Sequence, residues 1–271
     1  MDKTSTDKAS TKYNVPALNK ALLIIETLAE QADPMGVSDL CKLLEIPKTS
    51  AFFILNTLES QSYIRKTEDG KYALGTKFLT ISASILNKMD IRELARPFMR
   101  ELRDSSHYTV HLAVLDHGEA LYIEKQENEG FVKFSTYIGQ RQLLHISGVG
   151  KALAAYLPLP LLDSILDEKG LPRRTDHTIT NPDEFKKALV TIRSQGYAIE
   201  DEEGELGVRC LAAPIFDAQQ QLRAAISITA LRNDLGVQQI PMIGELVRKT
   251  ALQISQALGY TDTEFPINIP E

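Results

Sequence analysis

The feature that most constrains this chain is a change of hydrophobic period near residue 106. Before it, apolar residues recur three and four apart, the signature of helices with one buried face. After it they fall into short runs bounded by Gly, Asp and Gln, which read as strands mixed with helices. A chain of 271 residues is also long enough to divide into two cores. The predicted layout is a polar disordered tail at 1–13, a helical front domain at 14–75, a linker helix at 76–90, a mixed domain at 91–262 and a frayed tail at 263–271. Strands and helices in segregated runs give the fold class α+β.

In the front domain Leu18, Ala21, Leu22, Ile25 and Leu28 mark a first helix. It is broken by Asp33-Pro34-Met35-Gly36. Ser38 is a plausible N-cap for a second helix carrying Leu40, Leu43 and Leu44. Pro47 suits the opening of a third, running from about Lys48 to Ser60 with Ala51, Ile54, Leu55 and Leu58 inward. Tyr63-Ile64-Arg65 and Tyr72-Ala73-Leu74, joined through Glu68-Asp69-Gly70, read as a hairpin. Three short helices and a hairpin make a winged helix-turn-helix, in which one helix enters a major groove and a β-ribbon lies beside it. The third helix would present Lys48, Thr49, Ser50, Phe52, Phe53 and Asn56 outward, and Arg65, Lys66 and Lys71 would meet phosphates from the hairpin. A small bundle with a solvated charged face fits the same pattern.

Charge does not choose between these. The net charge is −6, and residues 1–75 hold nine Lys and Arg against ten Asp and Glu. Duplex binding would have to rest on a local patch, with weak non-specific affinity. Two cysteines, Cys41 and Cys210, exclude a disulfide framework and a four-cysteine zinc site, and point to a reducing, cytoplasmic setting. Apolar runs are too short for a membrane span, and Met1 to Ser10 is no secretory leader.

Residues 76–105 read as one long helix or a helix pair. In the rear domain the strands Val110–Leu115 and Ala120–Ile123 flank the turn Asp116–Glu119, and Val208–Phe216 and Leu222–Ala230 flank Asp217–Gln220. Helical stretches lie at Gly148–Tyr156, Leu161–Glu168, Asp183–Ser194 and about Val237–Leu258. Ser227 and Thr229, two apart on a strand, face one side, with Cys210 on the preceding strand. Gly148 to Gly150 open a helix whose free amides suit a carboxylate, so these groups outline a site for a small organic acid. Cys210 reads equally as a buried small hydrophobe, and the two hydroxyls as cross-strand partners. His107 and His111 lie too far apart on an extended chain for one ion, and no metal or phosphate motif is present, so neither metal nor cofactor is expected. Glu200 to Glu203 with Glu205 reads as a solvated acidic loop. A competing class is an enzyme with Cys210 as nucleophile and His145 as base, although no third orienting residue is evident. A non-enzymatic binding protein is the leading expectation.

Three separated stretches resemble IclR-type transcriptional regulators. They are Ala17–Leu22 with Leu44–Ser50 and Asp69–Gly75, then Leu144–Leu153, then Gly196–Glu203 with Gly207–Ile215. The likeness covers about residues 14–260. It implies a winged-helix domain, a linker helix and a GAF-like effector domain. It also implies homodimers or homotetramers on double-stranded palindromic operators. Gly148, Val149, Cys210, Ser227 and Thr229 match positions lining that family's effector cavity, and Glu200 stands where aspartate is frequent. Phe131 and Phe134 are candidates for a cover over it. Phe53 departs from the family, which usually carries arginine there. Either it packs against a neighbouring helix or it meets a thymine methyl. Loss of DNA binding, leaving an effector-binding module, is a further alternative.

Overall fold

The structure, a computed structural model, describes residues 15–86 and 90–267. The chain forms two compact units that divide between Met89 and Asp90. The predicted tail at 1–13 lies outside the described residues.

In the first unit, α1 spans Pro16–Glu30, α2 Val37–Leu43 and α3 Lys48–Ser60, followed by β1 at Ile64–Lys66 and β2 at Tyr72–Leu74. Pro16 starts α1 because a fixed φ costs nothing where no intrahelical bond is required. The three helices close on Ile24, Leu28, Leu40, Ala51, Leu55 and Ile64, all buried. The inward stripe of α1 differs from the periodicity reading: Ile24 is its buried centre, whereas Leu18 and Leu22 face water. Ser38 is not a cap either, since α2 starts one residue earlier behind Gly36 with no side-chain cap. The hairpin is antiparallel, pairing Ile64 with Leu74, and Gly70 takes φ +82° in its turn. Met35 and Tyr72 exchange two backbone hydrogen bonds, at 2.9 and 2.8 Å, and tie the hairpin to the α1–α2 loop. Gly75 has no room for a side chain, because a Cβ there would sit 2.2 Å from the Ser62 carbonyl. Helix α4 follows at Lys77–Leu86.

The second unit begins with α5, Ile91–Ser106, capped by Asp90, whose carboxylate accepts from the Arg92 amide at 2.9 Å. Residues 76–105 therefore hold two helices. A six-stranded antiparallel sheet follows in the order β5-β4-β3-β8-β7-β6. Its strands are β3 (Thr109–Asp116), β4 (Glu119–Gln126), β5 (Arg141–Leu143), β6 (Ala198–Asp201), β7 (Val208–Phe216) and β8 (Leu222–Leu231). Helix α6, Gly148–Ala154, crosses β6, β7 and β8, with α7 (Leu159–Lys169) and α8 (Pro182–Gln195) beyond it. Helices α5 and α9 (Ile240–Ala257) pack together against β3, β7 and β8. Sequestering both sheet faces explains why the central residues of β7 and β8 are buried without alternation, Ser227 and Thr229 included. The predicted tail at 263–271 needs correction. Phe265 is buried, its ring centroid 5.6 Å from that of Phe216, because a large aromatic gains more from the core than from fraying. Among the described residues no helix is long and apolar enough to cross a membrane.

Candidate functional site

In the first unit the outward face of α3 is the notable surface. Ala51, Leu55 and Leu58 turn into the core, which by helical geometry leaves Phe52, Phe53 and Asn56 outside. Phe53 is 70% exposed and Phe52 61%, their rings touching edge to face with centroids 5.7 Å apart. Phe53 does not pack against a neighbouring helix of its own unit. Lys48 and Thr49 are exposed in the first turn of α3 and Ser50 is half-buried; Arg65 and Lys66 stand exposed on β1. Lys71 is paired with Asp69 at 2.9 Å, so its charge is partly spent within the hairpin.

In the second unit, strand register brings distant residues onto one sheet face. Cys210 pairs with Glu200 on one side and Thr229 on the other, and Thr229 pairs with Thr109. The next row, two residues along, carries Ala212, Ser227 and His111. A β-bulge between Leu112 and Ala113 puts Tyr122 opposite Ala113 on this same face. Over the face opens a cleft of about 280 Å³. Its walls include Tyr122, Phe134, Thr136, Gln140, Gln142, Ser147, Glu200, Glu205, Cys210 and Thr229. Of the residues anticipated from sequence, Glu200, Cys210 and Thr229 reach the cleft, as does Phe134. Gly148, Val149 and Ser227 do not line it, and Phe131 stands fully in solvent.

A chain of hydrogen bonds runs beneath the cleft. Thr136 Oγ1 lies 2.7 Å from His111 Nε2, His111 Nδ1 lies 3.3 Å from Thr229 Oγ1, and Thr229 Oγ1 lies 3.3 Å from Cys210 Sγ. His111 is buried, and burial, seconded by Lys125, pulls its pKa down to about 3. The imidazole is thus neutral, one nitrogen donating and the other accepting. His107 is instead the left-handed C-cap of α5, whereas His111 lies on β3. Burial, then the neighbouring Glu200 charge, raises the Cys210 thiol well above its usual range. His145 hydrogen-bonds the Pro172 carbonyl at 3.1 Å, away from the sulfur. The thiol is thus held protonated, and His145, its candidate base from sequence, is bonded to the Pro172 carbonyl instead.

The acidic run at 200–203 is not the solvated loop that composition indicates. Glu200 is 2% exposed, and its Oε1 accepts from the amides of Glu203 at 2.7 Å and Gly204 at 3.0 Å. Desolvation outweighs those bonds and pushes its pKa up to about 7. Glu203 is held by Lys151 Nζ, 2.7 Å from both its oxygens, and Lys151 also donates to the Ile199 carbonyl. The run folds inward because buried cations and amides await it, which composition cannot show. The amides at the start of α6 are also used: Ser147 Oγ accepts from Gly150 N–H at 3.1 Å, and Gly148 N–H is directed at the Cys210 sulfur. A Cβ at position 148 would meet that of Cys210 at 3.0 Å, so Gly148 acts by letting α6 approach β7. His111, Tyr122, Thr136, Gln140 and Gln142 were not anticipated; the bulge and the 134–142 loop that bring them in leave no periodic signal.

Comparison with known proteins accords with both halves. Residues 17–68 match the IclR helix-turn-helix domain, and residues 83–256 match the bacterial transcriptional regulator IclR C-terminal domain. The uncharacterized HTH-type transcriptional regulator RhmR of Escherichia coli K12 is 33% identical over 246 residues, 91% of this chain and 94% of that one. The transcriptional repressor IclR of the same organism is 32% identical over 248 residues, covering 90% of each. The crystal structure of the Agobacterium tumefaciens repressor BlcR superimposes with a TM-score of 0.82 at 26% identity, over 92% of this chain and 99% of that one. The winged front unit and the sheet-based rear unit are accordingly those of one family, and this chain belongs to the IclR family of DNA-binding transcriptional regulators.

Proposed function

We propose that α3 reads a double-stranded operator while a small molecule, held in the cleft over Glu200, Cys210 and Thr229, modulates that binding. The observation that carries this reading is the convergence of polar groups from β4, β6, β7 and β8 on one cleft, with β3 supplying His111 beneath it. A purely structural sheet face gains nothing from such a gathering, because each buried polar group requires a partner. On the DNA side, Lys48, Thr49 and Ser50 address the backbone at the N-terminus of α3, Asn56 and Phe53 face base edges, and Arg65 and Lys66 steady the wing. We place the regulator in the cytoplasm as a homodimer or homotetramer. Ligand occupancy there changes how paired reading helices match two half-sites, and the coupling is reciprocal: a ligand that loosens operator binding is itself loosened by the operator.

The test is selection of binding sites from random-sequence duplexes, followed by mobility shifts with and without candidate ligands. A shared palindromic site with ligand-sensitive affinity is expected. Failure of any sequence to enrich removes the operator half of the proposal. An operator complex indifferent to every ligand that raises the melting temperature removes the regulatory half.

A further inference from the structure

Granting that an effector occupies the cleft, we infer that the cleft is built for a hydroxyl-rich carbon chain, a sugar, polyol or sugar acid, with a ligand hydroxyl donating to the Glu200 carboxyl. The lining supports this residue by residue. Tyr122, Thr136, Gln140, Gln142, Ser147 and Thr229 offer neutral hydrogen-bonding groups, which suit hydroxyls as both donors and acceptors. The charged residues in the lining are acids, Glu200 and Glu205. No Lys or Arg lines the cleft among the described residues, and the nearby cations are committed elsewhere. Lys151 holds Glu203, and Lys125 holds Glu127 and the carbonyls of Phe134 and Thr136 at 2.7 to 2.8 Å.

The orientation of Glu200 sharpens the point. Its Oε1 is occupied by two backbone amides, while the Cys210 thiol lies beside the carboxyl. Glu200 lines the cleft, so its carboxyl is an acceptor within reach of a ligand there. In its ionised form Glu200 would repel a carboxylate brought to it, no cation among the described residues lines the cleft to compensate, and two of the three α6 amides expected to receive an anion are engaged, Gly150 N–H by Ser147 Oγ and Gly148 N–H by the Cys210 sulfur. A hydroxyl there donates a charge-assisted hydrogen bond. Some 280 Å³ is the liquid volume of roughly nine waters, room for a chain of five or six carbons.

Calorimetry and thermal shift on the full chain test the inference. The probes are arabinose, arabinitol and arabinonate, and glucose, glucitol and gluconate, set against the hydroxyl-free pentanoate, hexanoate and benzoate. A hydroxylated probe is expected to bind and the hydroxyl-free acids to fail. At pH 8, above the Glu200 pKa of about 7, Glu200→Gln should weaken that binding about tenfold, because a mostly charged acceptor becomes a neutral one. A neutral probe binding best identifies a sugar or polyol; an aldonate binding best identifies a sugar acid whose carboxylate points away from Glu200. Tighter binding by hydroxyl-free acids, or by the Glu200→Gln protein, puts a carboxylate against residue 200 and overturns the inference while leaving the effector cleft in place. Binding by no probe overturns both. The wild-type ranking stands even if the variant fails to fold.

Discussion

Replacing Phe53 with alanine separates a DNA-reading helix from an ordinary surface helix. Phe53 leaves 70% of its surface in water. For a side chain of about 200 Å² that is ~140 Å² exposed, and docking half of it on thymine methyls at ~25 cal/mol per Å² yields about 1.8 kcal/mol for each half-site. The expected loss is therefore roughly twentyfold per half-site. Folding stability should move by less than about 0.5 kcal/mol, since no core contact is lost. The assay is fluorescence anisotropy with a selected operator and with the same duplex carrying deoxyuridine for thymine. Wild type should lose affinity when the methyls go, and Phe53→Ala should be indifferent to them. Equal sensitivity of both proteins to deoxyuridine, or unchanged operator affinity in Phe53→Ala, refutes the reasoning and returns Phe53 to an incidental surface role.

Acid stability offers a second check. His111 has a folded pKa lowered to about 3, so its contribution is present above its unfolded value near 6.5 and is lost as pH falls below it. Glu200, raised to about 7, acts oppositely: its contribution grows as pH falls from 7 toward its unfolded value near 4.5. From pH 6.5 to 5 each changes stability by about 1.7 kcal/mol in opposite senses, so these two contributions cancel. Glu200→Gln should expose the His111 loss in urea melts, and an equally flat profile in that variant would rule the balance out. Arg209 is fully buried, gripping Asp201 through two contacts at 2.8 and 3.1 Å and the Leu235 carbonyl besides. Arg209→Ala should cost about 3 kcal/mol, the low end for a broken buried pair because Asp201 is a third exposed, and a denaturant midpoint near wild type would contradict this. Cys210 should alkylate more slowly than a free thiol at pH 8, as followed by mass spectrometry; a fast reaction would restore the nucleophile reading.

The linear pattern carried much of this protein. Helical spacing located α3 and its buried Ala51, Leu55 and Leu58, turn chemistry located the hairpin at Gly70, and short apolar runs flanking turn residues located β3, β4, β7 and β8. These features are local, set by period and backbone preference within a dozen residues. The short edge strands β5 and β6 escaped, because three or four residues hold too little periodicity to register. Which side of α1 would be buried also escaped: Leu18, Leu22, Ile24 and Leu28 are all apolar, and only the placement of α2 and α3 selects Ile24. Composition misread Glu200 to Glu203 for the same reason, since a carboxylate is solvated or buried according to what the rest of the chain brings to it. The cleft itself belongs wholly to tertiary structure. Residues 111, 122, 136, 200, 210 and 229 become neighbours through antiparallel register, one bulge and a returning loop, and long-range pairing of that kind leaves no mark in any short window of sequence.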